Sequence, residues 1–175
     1  MEKEKVSICK SSLNYGLYLG AALVLVSVAY YATGNTFAKS SSWVGYILMI
    51  GGIIYAQLSH RKSLGGVMTY GEALGVGVLT LVFASLILSV YTYILYTVID
   101  PSLQEQMRLM AEEQLVTQGK LPEEQIEMAI QMVSKFQSPT ILLVMGIFGG
   151  ALAGLIISLI TSIFTQKKPA DPFTE

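Results

Sequence analysis

Residues 141–164 read ILLVMGIFGGALAGLIISLITSIF, a run without a single charge between Pro139 and the pair Lys167-Lys168. A bilayer core about 30 Å thick is crossed by roughly 20 helical residues rising 1.5 Å each, so this run is long enough to span. A lone strand in lipid would leave its backbone groups unpaired, which makes a helix the expected form. Three more runs qualify, at about 13–32, 42–59 and 72–99. Leu13–Ala32 follows Lys3, Lys5 and Lys10 as a signal peptide would. It exceeds the roughly 7–15 apolar residues of such a signal, and no small-residue cleavage site follows, so it reads as a retained span. Trp43–Leu58 reaches the lower limit of about 18 residues only with its serine flanks. The third run is longer than a bilayer requires, which predicts tilt or protrusion.

Composition agrees. Of 175 residues 53% are apolar and 13% charged, against about 25% charged in an ordinary soluble domain, and the mean hydropathy is +0.57. Ten of the 23 charges fall between Asp100 and Lys135, seven of them acidic. The expected architecture is therefore all-α: a four-span transmembrane bundle, 1–175 as one integral membrane domain, with a polar helical hairpin at 100–138 between spans three and four.

Tyrosines mark the span limits. Tyr15, Tyr18, Tyr30 and Tyr31 lie towards the ends of the first run, Tyr46 and Tyr55 bracket the second, and Tyr70 and the trio Tyr91, Tyr93 and Tyr96 bracket the third. Aromatic rings with a polar tip favour the headgroup region. Basic residues set the orientation. Lys3, Lys5, Lys10, Arg61, Lys62, Lys167 and Lys168 fall on one side, and Lys39, Arg108, Lys120 and Lys135 on the other, spread over a much longer stretch. The positive-inside rule then places both termini in the cytoplasm and 100–138 outside.

Within the insert, Asp100-Pro101-Ser102 joins a cap residue to a proline at the first helical position. That helix would stop at Gly119, the usual C-terminal residue, and a second would start at Pro122-Glu123-Glu124 and end before Ser138-Pro139. Apolar stripes at helical spacing follow, Leu103, Met107, Met110 and Ala111, then Ile126, Ala129, Ile130, Val133 and Phe136. They would pack on each other, on the membrane, or on a membrane or periplasmic protein partner. The net charge of −4 in this segment argues against adsorption to anionic lipid, which basic helices favour.

Inside the spans, Gly146, Gly150 and Gly154 recur every fourth residue and continue as Ser158 and Ser162. Four residues advance a helix by about 400°, giving one smooth face. Small residues let a second helix approach closely where lipid supplies no hydrophobic drive. Gly16 and Gly20, and Gly71 and Gly75, repeat the spacing. Such faces pack helices of one chain together or join copies into a homo-oligomer. Ser85, Ser89 and Thr92 form a polar face on span three, which would bond to a neighbouring helix or line a path. Thr69-Tyr70-Gly71-Glu72 has the T-x-x-E spacing of a capping box. A carboxylate beside a span is otherwise a candidate coupling site.

His60, Arg61 and Lys62 end span two, where cations suit a helix C-terminus. Gly65-Gly66 reads as a turn. The single Cys9 excludes an intramolecular disulfide. No nucleophile–base pair, no HExxH, no phosphate loop and no basic surface is present, so no cofactor, metal or nucleic acid is expected and catalysis is disfavoured.

The runs Tyr15-Gly16-Leu17-Tyr18-Leu19-Gly20, Gly65-Gly66, Thr69-Tyr70-Gly71-Glu72-Ala73, Ile99-Asp100-Pro101-Ser102-Leu103 and Glu123-Glu124-Gln125-Ile126-Glu127 occur in this order. In order and spacing the chain resembles the bacterial membrane family known as domain of unknown function 4199, found chiefly in Bacteroidota-type bacteria. The resemblance implies a four-span inner-membrane protein with a periplasmic insert, and carries over no functional residues. The expected role is a non-enzymatic structural or accessory interaction protein. The alternative is a component of a small-solute transporter or channel.

Overall fold

The computed structural model describes residues 7–118 and 123–167. Lys3, Lys5, Gly119, Lys120, Pro122 and Lys168, which carried parts of the reading above, lie outside the described residues, as does the side chain of Ile126. Among the described residues the chain is all-helical: α1 (Ile8–Ala32), α2 (Lys39–Ser63), α3 (Tyr70–Ile94), α4 (Ser102–Gln118), α5 (Glu123–Phe136) and α6 (Pro139–Thr165). Four of these, α1, α2, α3 with the turn that prolongs it to Ile99, and α6, are long and apolar enough to cross a membrane.

α2 is longer than its apolar residues suggest, running through Lys39-Ser40-Ser41-Ser42 at one end and Ser59–Ser63 at the other. Backbone bonding continues through polar residues; only the lipid-matched part is bounded by apolarity. After α3 the chain widens into one π-turn, Leu95–Ile99, closed by the Asp100 amide donating to the Leu95 carbonyl at 2.8 Å. Pro101 has no N–H to continue the ladder. The Asp100 carboxylate accepts from the Ser102 amide at 3.1 Å and so caps α4. Gly65 and Gly66 have φ of 83° and 94°, a left-handed turn that suits glycine.

The chain divides into two compact units. Among the described residues, 7–88 with 147–167 form the first, and 89–118 with 123–146 the second. The core of the first is Leu19, Leu23, Ile53, Leu81 and Ala84. Around it the usual distribution is inverted. On α6 the buried positions are Gly154, Ser158, Thr161, Ser162 and Thr165, while Phe148, Leu152, Ile156, Ile160 and Phe164 are each 59% or more exposed. Small and polar residues face in and large apolar residues face out, an arrangement that costs free energy in water and suits lipid. In the second unit α4 and α5 contact one another, and Gln104 Nε2 donates to the Tyr96 carbonyl at 2.7 Å, satisfying one orphan acceptor near the end of the long helix.

Candidate functional site

The first unit holds a polar cluster built around one amide. Gln57 on α2 is fully buried. Its Nε2 donates to the Ala73 carbonyl on α3 at 3.0 Å and to Ser162 Oγ on α6 at 3.1 Å. Its Oε1 accepts from Thr165 Oγ1 at 3.0 Å. A carbonyl can only accept, so the nitrogen must face Ala73 and the amide orientation follows. One side chain thus joins three helices, each bond contributing about 0.5–1.5 kcal/mol net. One turn further along α2, Arg61 Nη1 donates to the Thr165 carbonyl at 3.0 Å, placing a cation on the C-terminus of α6. Met68 and Lys167 then exchange two backbone bonds of 2.9 Å, tying the α2–α3 turn to the chain leaving α6. Ser12 on α1 donates to the Val76 carbonyl at 3.3 Å.

Helix contacts bring α3 and α6 together with opposite polarity. Gly154 meets Leu81 and Val78, Gly150 meets Ser85, and Gly77 meets Ser158. Each step moves four residues along both helices. In the second unit Gly146 meets Ser89. α1 runs parallel to α3, with Gly16 against Thr80 and Phe83, and Gly20 against Ala84 and Ile87. Gly75 has only Ile8 Cγ2 nearby, at 3.7 Å, and Gly71 has nothing within 4 Å. Ser85 is covered by Gly150 and donates to the Val82 carbonyl at 3.0 Å, back-bonding to its own helix. Thr92 is half-buried in the second unit.

Thr69 and Glu72 are bonded to each other. The Thr69 amide and Oγ1 both donate to Glu72 Oε2 at 2.9 Å, and the Glu72 amide donates to Thr69 Oγ1 at 3.3 Å. This is the reciprocal geometry that satisfies amides at a helix start.

Beside this cap lies a cavity of about 580 Å³, walled by Ile8, Leu64 and Leu79, with Ser7, His60 and Glu72 among its polar lining. His60 is 1% exposed, and neither ring nitrogen has a hydrogen-bond partner. An unmade bond on a buried polar group costs about 1–3 kcal/mol. No three His, Cys, Asp or Glu side chains among the described residues come close enough to hold a metal ion.

Gln57 carries this cluster with Gly77 in contact with it, and in the sequence only the polarity of Gln57 within a short apolar run could have marked it. An amide inside Trp43–Leu58 is costly in lipid unless another helix satisfies it. Periodicity does not say which helix that is. His60 reads from sequence as one of three cations at a helix end, yet it turns inward while Lys62 stays exposed.

No curated protein and no solved structure matches the chain. A family model described as protein of unknown function (DUF4199) matches residues 14–167, which takes in α1 from residue 14 onward and the whole of α2 to α6. The chain belongs to the DUF4199 family.

Proposed function

We propose that this is a multi-pass inner-membrane protein with both termini in the cytoplasm, acting without catalysis as a structural or accessory interaction protein. In this reading α4 and α5 form a hairpin on the periplasmic side and carry the partner surface. One observation supports it above the rest. On α5, Met128, Met132 and Phe136 recur every fourth residue and are 63%, 63% and 57% exposed. They stand on a segment rich in carboxylates and outside the four helices long and apolar enough to cross a membrane. On α4, Leu109 and Val116 are likewise more than half exposed. Thioether side chains adapt to irregular apolar surfaces, which suits recognition of a partner.

The transport alternative draws less support. Its polar face would need hydroxyls open to a path, whereas Ser85 and Ser89 are buried against Gly150 and Gly146. The glycine face of α6 is occupied by α3, so a second copy of the chain would have to use another surface.

Photocrosslinking in cells from positions 128, 132 and 136 tests the partner reading. A discrete crosslinked protein, lost with Met128→Glu and Met132→Glu, is expected. Crosslinks to lipid alone, at normal expression of the protein, would overturn it.

A further inference from the structure

We infer that the exposed stripe of α5 pairs with the same stripe of a second copy of the chain, the two helices running antiparallel. This rests on the partner surface proposed above and names its occupant. Met128, Met132 and Phe136 recur every fourth residue, so they follow one line over about 12 Å of helix, and each is more than half exposed. Elsewhere on α5 the apolar Ala129, Ile130 and Val133 are half-buried, and α5 contacts α4. The stripe is therefore the part of the apolar surface left for another chain.

The charge pattern selects the occupant. In sequence the first half of α5 holds Glu123, Glu124 and Glu127, and its last turn holds Lys135, which is exposed. A wholly basic partner would meet Lys135 with like charge, and a wholly acidic one would meet the glutamates. A helix lying antiparallel along the stripe is complementary when it is acidic at its start and basic at its end. α5 itself has that pattern, and antiparallel pairing opposes the helix dipoles as well. A parallel copy would set acid against acid and lysine against lysine.

The helical register agrees. Positions 124 and 135 are eleven residues apart, an advance of about 1100°, or roughly 20° beyond three turns. They therefore share one flank of the stripe. A twofold axis between antiparallel helices brings the same flank of each together, so position 135 of one copy stands on the side of position 124 of the other, twice over. Superposing the stripes centre on centre sets position 132 against 132 and 128 against 136. Copies inserted alike in one bilayer are related by an axis along its normal, so the paired helices run along the membrane surface. Only two residues separate Phe136 from Pro139, where α6 begins, which keeps that end of α5 close to the surface. Anchoring both copies in one bilayer raises their effective concentration, which favours a contact of this size.

The test uses the full chain in native membranes, with Cys9, its one cysteine, replaced by serine so that introduced thiols report alone. Under a mild oxidant Met132→Cys should give a disulfide-linked dimer. Met128→Cys and Phe136→Cys should each give little alone, and a dimer when co-expressed on differently tagged chains. Lys135→Glu should lower the dimer yield at position 132 about tenfold, since two symmetry-related contacts change sign. Glu124→Lys in the same chain should restore it, which separates pairing from a folding defect. Dimers of 128 and of 136 each with itself, no disulfide at 132 in chains present at the normal level, or charge reversal without effect or without rescue would overturn the proposal. Photocrosslinking from position 132 to a different protein would overturn it too, and leave the partner reading standing. Crosslinks to lipid alone would overturn both.

Discussion

Gly77 of α3 lies so close to Ser158 of α6 that a β-carbon at position 77 would overlap the serine Oγ, and it would come within 2.9 Å of Gln57 Nε2. Backbone at this point is in contact with the polar cluster itself. Removing one hydrogen's worth of space there therefore disturbs both helix packing and the amide that joins three helices.

Gly77→Ala should lower stability by about 1–3 kcal/mol, the usual cost of overpacking. Ser158→Gly in the same chain should recover most of the loss, because the overlap is with that side chain. Gly71→Ala supplies the contrast. Nothing lies within 4 Å of its β-carbon position, so it should be neutral or stabilising by up to about 1 kcal/mol through helix propensity. Unfolding of the purified protein in mixed micelles would compare all three.

Gln57 and Thr165 should be energetically coupled. Interhelical hydrogen bonds in membrane proteins average about 0.6 kcal/mol by double-mutant cycles, with a maximum near 1.7. Gln57→Ala should cost more than that average, about 1–3 kcal/mol, since Ser162 and Thr165 lose a buried partner together. The cycle Gln57→Ala with Thr165→Ala should return a coupling of about 0.5–1.5 kcal/mol. A coupling near zero would mean that Thr165 is satisfied by its other acceptor, the Thr161 carbonyl at 3.1 Å.

Four long apolar helices are legible in the sequence because lipid imposes one demand on every residue of a crossing. Charge-free length alone meets it, as residues 141–164 illustrate. The limits of α2 are less legible, because Ser40–Ser42 and Ser59–Ser63 are as compatible with helix as with loop. The repeat of Gly146, Gly150 and Gly154 defines a face without naming what covers it. Gly77 stands outside any repeat of glycines, and its importance depends on the register between α3 and α6. Gln57 and His60 are marked only by polarity within a short span. Whether such a group bonds inward, as Gln57 does, or is buried without a partner, as His60 is, is decided by neighbours far away in sequence.

On α4, Arg108 forms a forked contact with Glu105, Nη2 to Oε1 at 2.7 Å and Nε to Oε2 at 3.1 Å, with both side chains solvated. Hydrogen bonding from Arg108 holds the Glu105 carboxyl below the ordinary glutamate range. A lowered folded-state value means the pair's contribution is fully present above the unfolded-state pKa and is lost as pH falls through the folded one. α4 should therefore lose a little helicity on acidification, and less so at high salt. Carboxyl carbon resonances should show Glu105 titrating low, and Arg108→Ala should return it to the ordinary range. An unchanged titration in that variant would assign the shift to another cause.

The proposed topology makes the connection between α4 and α5 the decisive place to probe. Basic residues bias orientation only near span ends and in short loops. Arg61 and Lys62 meet that condition at the end of α2, and Lys167 at the end of α6. Arg108 and Lys135 stand on α4 and α5, in a longer segment whose net charge is acidic, so they oppose the bias weakly. A reporter active only in the cytoplasm should be silent when inserted at residues 119–122, and one active only in the periplasm should work there. Replacing Arg61, Lys62, Lys167 and Lys168 with glutamine should weaken this preference, with part of the population reporting the opposite side. A fully active cytoplasmic reporter in the unmodified chain would reverse the orientation and place the α4–α5 surface, and any partner it binds, inside the cell.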